Sequence, residues 1–119
     1  MAKTILIADD DKGILVMMES VLAGRGYKVV TANNGEQAVK AAQRVSPDLI
    51  ILDVQMPKMD GDEAAMVLKE DEATSRIPVL FCTGLRTDKE IAEAREENIF
   101  AKPVHFDLLL EKIKSILGE

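Results

Sequence analysis

The chain has 119 residues, of which 47% are hydrophobic, and its formal charge is -6 because acidic residues outnumber basic residues by 21 to 15. This length and apolar content predict one domain over residues 1–119, while the net negative charge argues against a nucleic-acid-binding surface, which needs clustered Lys and Arg. The single cysteine, Cys82, excludes an internal disulfide, and no apolar segment is long enough for a signal peptide or a membrane span. We therefore expect a cytoplasmic protein that binds neither nucleic acid nor membrane.

Five short apolar segments alternate with five amphipathic segments along the chain. The apolar segments predict strands near residues 4–8, 28–32, 49–52, 78–82 and 99–101. Helical periodicity predicts helices over residues 12–24, from 35 to 46, from about 61, over 87–97 and over 106–117. The third helix is expected to bury Ala64, Ala65, Val67 and Leu68. This alternation favours an α/β fold, a single doubly wound five-stranded parallel sheet of (βα)5 type.

Polar side chains follow four of the predicted strands, at the point where each strand ends. Asp9 and Asp10 follow the first strand, Asp53 the third, Thr83 the fourth, and Lys102 the fifth. The carboxyl ends of parallel strands meet at one edge of the sheet, which is where open α/β folds bind ligands. We expect these side chains to form one site. Asp11, in contrast, is expected to cap the first helix.

Electrostatics indicates what such a group of side chains binds. Two carboxylates about 4 Å apart repel by roughly 4 kcal/mol at an effective dielectric constant near 20, so a cation must offset them. Carboxylate and carbonyl oxygens suit Mg²⁺, which keeps open positions for a phosphate. Lys102 adds a second positive charge and Thr83 a neutral donor, which together suit phosphoryl oxygens. Asp53 lies centrally, where its carboxylate is the candidate nucleophile for phosphoryl transfer.

The residues Ile5 to Asp10, Leu49 to Gly61, Thr83 and Lys102-Pro103 closely resemble the receiver domain of bacterial two-component response regulators, over essentially the whole chain. The resemblance implies a flavodoxin-like sheet with strand order 2-1-3-4-5. It implies that Asp53 accepts a phosphoryl group from a phosphohistidine of a sensor histidine kinase or phosphotransfer protein.

The same resemblance assigns the remaining site residues. Mg²⁺ would be bound directly by Asp10 and Asp53, through water by Asp9, and by the backbone carbonyl of Gln55. Thr83 and Lys102 would contact the phosphoryl oxygens. Leu85 and Pro103 would flank the site, and the bond before Pro103 is usually cis in this family.

The position usual for an aromatic side chain departs from the family pattern. Receivers usually carry Tyr or Phe three residues before the lysine, where this chain has Ile99, and strand alternation places Phe100 on the opposite face. We therefore expect activation to use Thr83 and the loop after it, without aromatic gating. Apolar Leu85 has no group to orient water, which predicts slow self-dephosphorylation.

Phosphorylation should change a surface on the last two βα units, including the exposed face of the helix predicted over residues 87–97, for a downstream protein target. Two alternatives remain open. One is a small Mg²⁺-dependent aspartyl phosphohydrolase, although Gln55 cannot supply the general acid that such an enzyme needs two residues after its nucleophile. The other is a non-phosphorylated binding module with the same fold. His105, the only histidine, is expected to be solvated rather than a phosphocarrier.

Overall fold

The computed structural model describes residues 2–95 and 98–119. The strands are β1 (Thr4–Ala8), β2 (Lys28–Ala32), β3 (Leu49–Asp53), β4 (Val79–Thr83) and β5 (Ile99–Ala101), and they alternate with helices α1 (Lys12–Ala23), α2 (Gly35–Val45), α3 (Gly61–Glu70), α4 (Asp88–Glu93) and α5 (Phe106–Leu117). The strands pair in parallel in the order β2-β1-β3-β4-β5. The predicted doubly wound fold and strand order are confirmed.

The central strand β3 is buried on both faces, as its uninterrupted apolar sequence predicts. Ile51 belongs to the core layer that includes side chains of α1 and α5, whereas Ile50 and Leu52 belong to the layer with α2 and α3. Cys82 lies in the first of these layers, and its burial raises the pKa of the thiol to about 12. The prediction that Cys82 is a core residue is confirmed, and at neutral pH its thiol is protonated.

Helix ends follow the local chemistry of the sequence. The Oδ1 atom of Asp11 accepts the N–H groups of Gly13 at 2.9 Å and Ile14 at 3.2 Å, which confirms Asp11 as the cap of α1. Helix α2 ends at Val45, and the residue that caps it, Ser46, precedes a proline and has a left-handed φ of 50°. Gly118 closes α5 with a φ of 73°. No helix in the described part of the chain has the length and apolar character that crossing a bilayer requires.

Two local predictions were wrong. Val67 is 37% exposed, because the inner face of α3 is centred on Ala64 and Leu68, and Val67 lies at its edge. Helix α4 begins with the predicted capping box of Thr87 and Glu90 but ends at Glu93, and the last part of the predicted helix, residues 96 and 97, lies outside the described residues. The helix buries Ile91 alone, so tertiary packing supports less than two turns.

Candidate functional site

Three carboxylates meet at the carboxyl edge of the sheet. Asp9 and Asp10 directly follow β1, and Asp53 is the last residue of the neighbouring strand β3. Each residue offers one oxygen atom such that the three atoms lie within 4.8 Å of one another. Asp9 and Asp53 are buried, with exposed fractions of 3% and 6%, whereas Asp10 is open to solvent. The sheet thus holds two of the acids inside the domain and leaves the third at the mouth of the site.

Lys102, which directly follows the edge strand β5, contacts two of these acids. Its Nζ atom donates a hydrogen bond to Oδ2 of Asp9 at 2.7 Å and lies 3.3 Å from Oδ2 of Asp53. Strand β5 delivers it there, because the backbone N–H of Lys102 donates to the carbonyl oxygen of Thr83 at 2.8 Å. The Lys102–Pro103 peptide bond is cis, as the resemblance implied. Lys102 thus lies at the same sheet edge as Asp53, and its expected contact with a phosphoryl group stays a prediction.

Burial and neighbouring charges shift the pKa values of Asp53 and Lys102. Burial and the negative charge of Asp9 raise the pKa of Asp53, and they outweigh the opposing effect of Lys102. Burial acts to lower the pKa of Lys102, but the hydrogen bond and charge of Asp9, together with Asp53, leave it raised. Lys102 is therefore firmly protonated, and one ammonium group does not compensate both buried carboxylates.

A divalent cation fits this donor set. Asp9, Asp10 and Asp53 carry three formal negative charges against one positive charge on Lys102, which leaves two negative charges uncompensated. The donors are all carboxylate oxygens, which hard cations such as Mg²⁺ prefer, and the exposure of Asp10 leaves room for water ligands. The arrangement suits a metal that keeps open positions for a further ligand.

Two of the remaining predicted residues lie at an open cleft of about 600 Å³ that Asp10 also lines. Gln55 and Leu85 line it, and Leu85 is 61% exposed. Thr83 is buried at the end of β4, where its Oγ1 accepts the N–H of Leu85 at 3.1 Å. Gln55 donates its backbone N–H to Oδ1 of Asp53 at 3.3 Å. Pro103 is exposed and does not line this cleft.

Sequence reasoning missed four residues that line the cleft, which are Val54, Met56, Pro57 and Asp60. Asp60 is also the cap of α3, and its Oδ1 accepts the N–H of Glu63 at 2.8 Å. Sequence reasoning also missed Gly61, where a Cβ atom would lie 2.3 Å from the carbonyl oxygen of Asp53. The adjacent letters Met-Asp-Gly indicated a turn but not this close backbone approach.

The positions expected to affect switching lie as strand alternation predicts. Phe100 pairs with Cys82 and packs against the core layer that includes α1 and α5. Ile99 pairs with Phe81, which packs against the opposite layer. Phe100 is therefore on the wrong face to replace the aromatic side chain usual at the Ile99 position. His105 is 63% exposed, and its Nε2 lies 3.5 Å from Asp88, which confirms a solvated histidine.

Comparison with known proteins places the chain in a family. The profile of the response regulator receiver domain matches residues 5–114, so the chain belongs to the receiver domain family of two-component response regulators. The polar-differentiation response regulator DivK of Brucella anthropi is 31% identical over 122 aligned positions, which cover 100% of this chain and 99% of that protein. The family is one of signalling domains.

Two further relatives extend the comparison. The alkaline phosphatase synthesis transcriptional regulatory protein PhoP of Bacillus subtilis is 35% identical over 98% of this chain, and this chain spans 49% of its length. The receiver domain of sensor histidine kinase PA1611 from Pseudomonas aeruginosa is 27% identical, with a TM-score of 0.85 and 100% of both chains covered. Its crystal structure has a magnesium ion coordinated in the active-site cleft.

Proposed function

We propose that residues 1–119 act as one phosphoacceptor domain in which Asp53 receives a phosphoryl group. The observation that supports this most strongly is the contact of Lys102 with both Asp9 and Asp53, at 2.7 Å and 3.3 Å, beside an exposed third acid, Asp10. A carboxylate nucleophile, a fixed cation and an acidic metal set at one sheet edge are the parts that aspartyl phosphorylation requires.

In this proposal Asp9, Asp10, Asp53 and the Gln55 carbonyl would hold Mg²⁺, which would neutralise charge on the phosphoryl oxygens when bound. A carboxylate oxygen of Asp53 attacks phosphorus as the N–P bond of the donor phosphohistidine breaks and its electron pair stays on the imidazole nitrogen. Lys102 stabilises the negative charge on the transferring group. The donor would be a sensor histidine kinase or a phosphotransfer protein.

In this proposal Thr83 would detect the product. Its Oγ1 accepts a hydrogen bond from the Leu85 N–H, which uses a lone pair and leaves the hydroxyl hydrogen to donate to a phosphoryl oxygen. A shift of Thr83 toward the phosphoryl group would alter the Leu85 loop and then α4, whose described exposed charges include Lys89, Glu90 and Glu93. We propose that this surface binds a downstream protein target.

The protein would then be no turnover enzyme, catalysing only its own phosphorylation and dephosphorylation. A phosphohydrolase would need an acid at the position of Gln55, whose side chain is an amide. A binding module that is never phosphorylated would not need the buried pairing of Lys102 with Asp9 and Asp53. We propose the cytoplasm as its location, where phosphohistidine donors and a reduced Cys82 are expected.

The test is incubation with a small acyl-phosphate donor, with Mg²⁺ or with EDTA, followed by intact mass measurement. We expect one phosphoryl group per chain with Mg²⁺, and none with EDTA or in Asp53→Asn. Asp62→Asn is the matched control, because Asp62 is an exposed acid in the first turn of α3 and should be phosphorylated normally. Rapid hydrolysis of the donor without an adduct would instead favour a phosphohydrolase, and no reaction would favour a binding module.

A further inference from the structure

The loop between β3 and α3 carries Gln55 and contains a strained turn. The backbone N–H of Met59 donates to the carbonyl oxygen of Pro57 at 2.8 Å, and the residue between them, Lys58, has a left-handed φ of 69°. A hydrogen bond that spans two residues around a positive φ defines the γ-turn of the rare, strained type. Such a turn persists only where surrounding structure holds it in place.

Two glycines contact this loop, one near each end. At Gly61 the N–H donates to the carbonyl oxygen of Val54 at 2.9 Å, so the loop closes on itself beside Asp53. At Gly35, the first residue of α2, a Cβ atom would lie 2.0 Å from the carbonyl oxygen of Met59 and 2.6 Å from its carbonyl carbon. Because no side chain can occupy that space, the backbone of α2 packs directly against the turn.

The start of α2 is itself held firmly. The Asn34 side chain accepts the N–H of Gln37 at 2.9 Å, and the Gln37 side chain accepts the N–H of Asn33 at 3.1 Å. Gly35 is buried, whereas Lys58 at the centre of the turn is exposed. A side chain added at Gly35 would therefore displace the exposed turn rather than the capped helix.

We propose that Gly35 is a positioning residue for the metal site, although α2 contributes no side chain to that site. Gly35 has no side chain, so the Met59 carbonyl packs against the Gly35 Cα atom, and this contact fixes the loop at Met59. Gly61 packs against the backbone of Asp53 and fixes the start of the loop there. The backbone carbonyl of Gln55 lies along the chain between Val54, which Gly61 contacts, and Met59, which Gly35 contacts. The inference rests on the proposed function, because it takes that carbonyl to be a Mg²⁺ ligand.

The test compares Mg²⁺ affinity, measured by isothermal titration calorimetry, in the wild-type protein and in Gly35→Ala. We expect the Kd for Mg²⁺ to rise about tenfold or more, the effect typical of losing a residue that orients a metal ligand. Ala42→Gly is the matched control, because Ala42 is fully buried on the same helix about two turns further on. It should lower the melting temperature yet leave the Kd unchanged.

A second variant keeps the test decisive if Gly35→Ala does not fold. Asn34→Ala removes the side chain that caps α2 beside Gly35 and leaves the loop sequence unchanged, and we expect it to raise the Mg²⁺ Kd by a smaller factor than Gly35→Ala does. If Gly35→Ala folds and its Mg²⁺ Kd is unchanged, the inference about Gly35 is wrong and the proposed function stands. If only Asn34→Ala folds, an unchanged Kd in that variant has the same meaning. A wild-type protein that binds no Mg²⁺ overturns the proposed function and this inference together.

Discussion

Replacing Lys102 with methionine tests the electrostatic description of the site most directly. The substitution keeps a long, unbranched side chain but removes the ammonium group that contacts Asp9 at 2.7 Å and Asp53 at 3.3 Å. Both carboxylates are almost fully buried, so the variant leaves two negative charges facing each other with little water between them. We expect Lys102→Met to be folded but clearly destabilised in EDTA.

The size of the effect follows from the two distances. At an effective dielectric constant of 20, Coulomb attraction is about 6 kcal/mol at 2.7 Å and about 5 kcal/mol at 3.3 Å. Most of this is offset in the wild-type protein by the desolvation of Lys102, which costs several kcal/mol. Removing one partner of a buried ion pair usually lowers the free energy of unfolding by about 3–5 kcal/mol. Because the Lys102 side chain is 19% exposed, we expect the lower value, a loss of about 3 kcal/mol.

The assay is equilibrium urea unfolding at pH 7, with EDTA and with saturating Mg²⁺. A divalent cation can replace the missing charge, so Mg²⁺ should increase the free energy of unfolding more in Lys102→Met than in the wild-type protein. Lys40→Met is the control, because Lys40 is exposed on α2 and its replacement should change stability by less than about 0.5 kcal/mol. A loss below about 1 kcal/mol in EDTA, or an equal gain from Mg²⁺ in both proteins, would refute this reasoning.

Two further predictions concern Asp53 and Leu85. Burial and Asp9 raise the pKa of Asp53 in the folded protein above its unfolded value of 3.8. Between pH 3.8 and the raised pKa, the unfolded chain releases the Asp53 proton while the folded protein retains it, so the free energy of unfolding falls as pH rises through this interval. In EDTA, the free energy of unfolding of Asp53→Asn should therefore increase relative to that of the wild-type protein over this interval, by about 1.4 kcal/mol for each pH unit that the interval spans. A difference in free energy of unfolding that does not change with pH contradicts this prediction. Leu85→Glu or Leu85→Asn should speed loss of the phosphoryl group about tenfold by orienting water at the cleft, whereas equal decay rates by intact mass contradict it.

The sequence was sufficient for the architecture because a local pattern marks each strand. Leu49 to Leu52 form a wholly apolar segment that ends in an acid, and this predicts both a buried strand and the sheet edge at which Asp53 lies. Parallel strands then bring Asp9 to the same edge. The extent of α4 could not be predicted in this way, because its charged sequence is compatible with a longer helix and its length depends on how little of it is buried.

Close approaches between distant residues were likewise invisible in the sequence. Gly35 and Met59 are separated by 24 positions, and nothing in either neighbourhood indicates that their backbones touch. Asn34-Gly35 predicted only a helix start. The direct hydrogen bond between Lys102 and Asp9 is a similar case, since spacing along the chain predicted that both residues lie at one edge but not which acid the ammonium group contacts.

The edge strand β5 has three residues and pairs with β4 alone, and the adjacent α4 buries one side chain. In contrast, β3 is buried along its whole length. Opening the β5 and α4 region therefore exposes little apolar surface, and such regions have the lowest free energies of local unfolding. Local opening of α4 and β5 should therefore cost less free energy than opening β3, which carries Asp53, and in the proposed function a phosphoryl contact worth a few kcal/mol would be enough to shift these two elements.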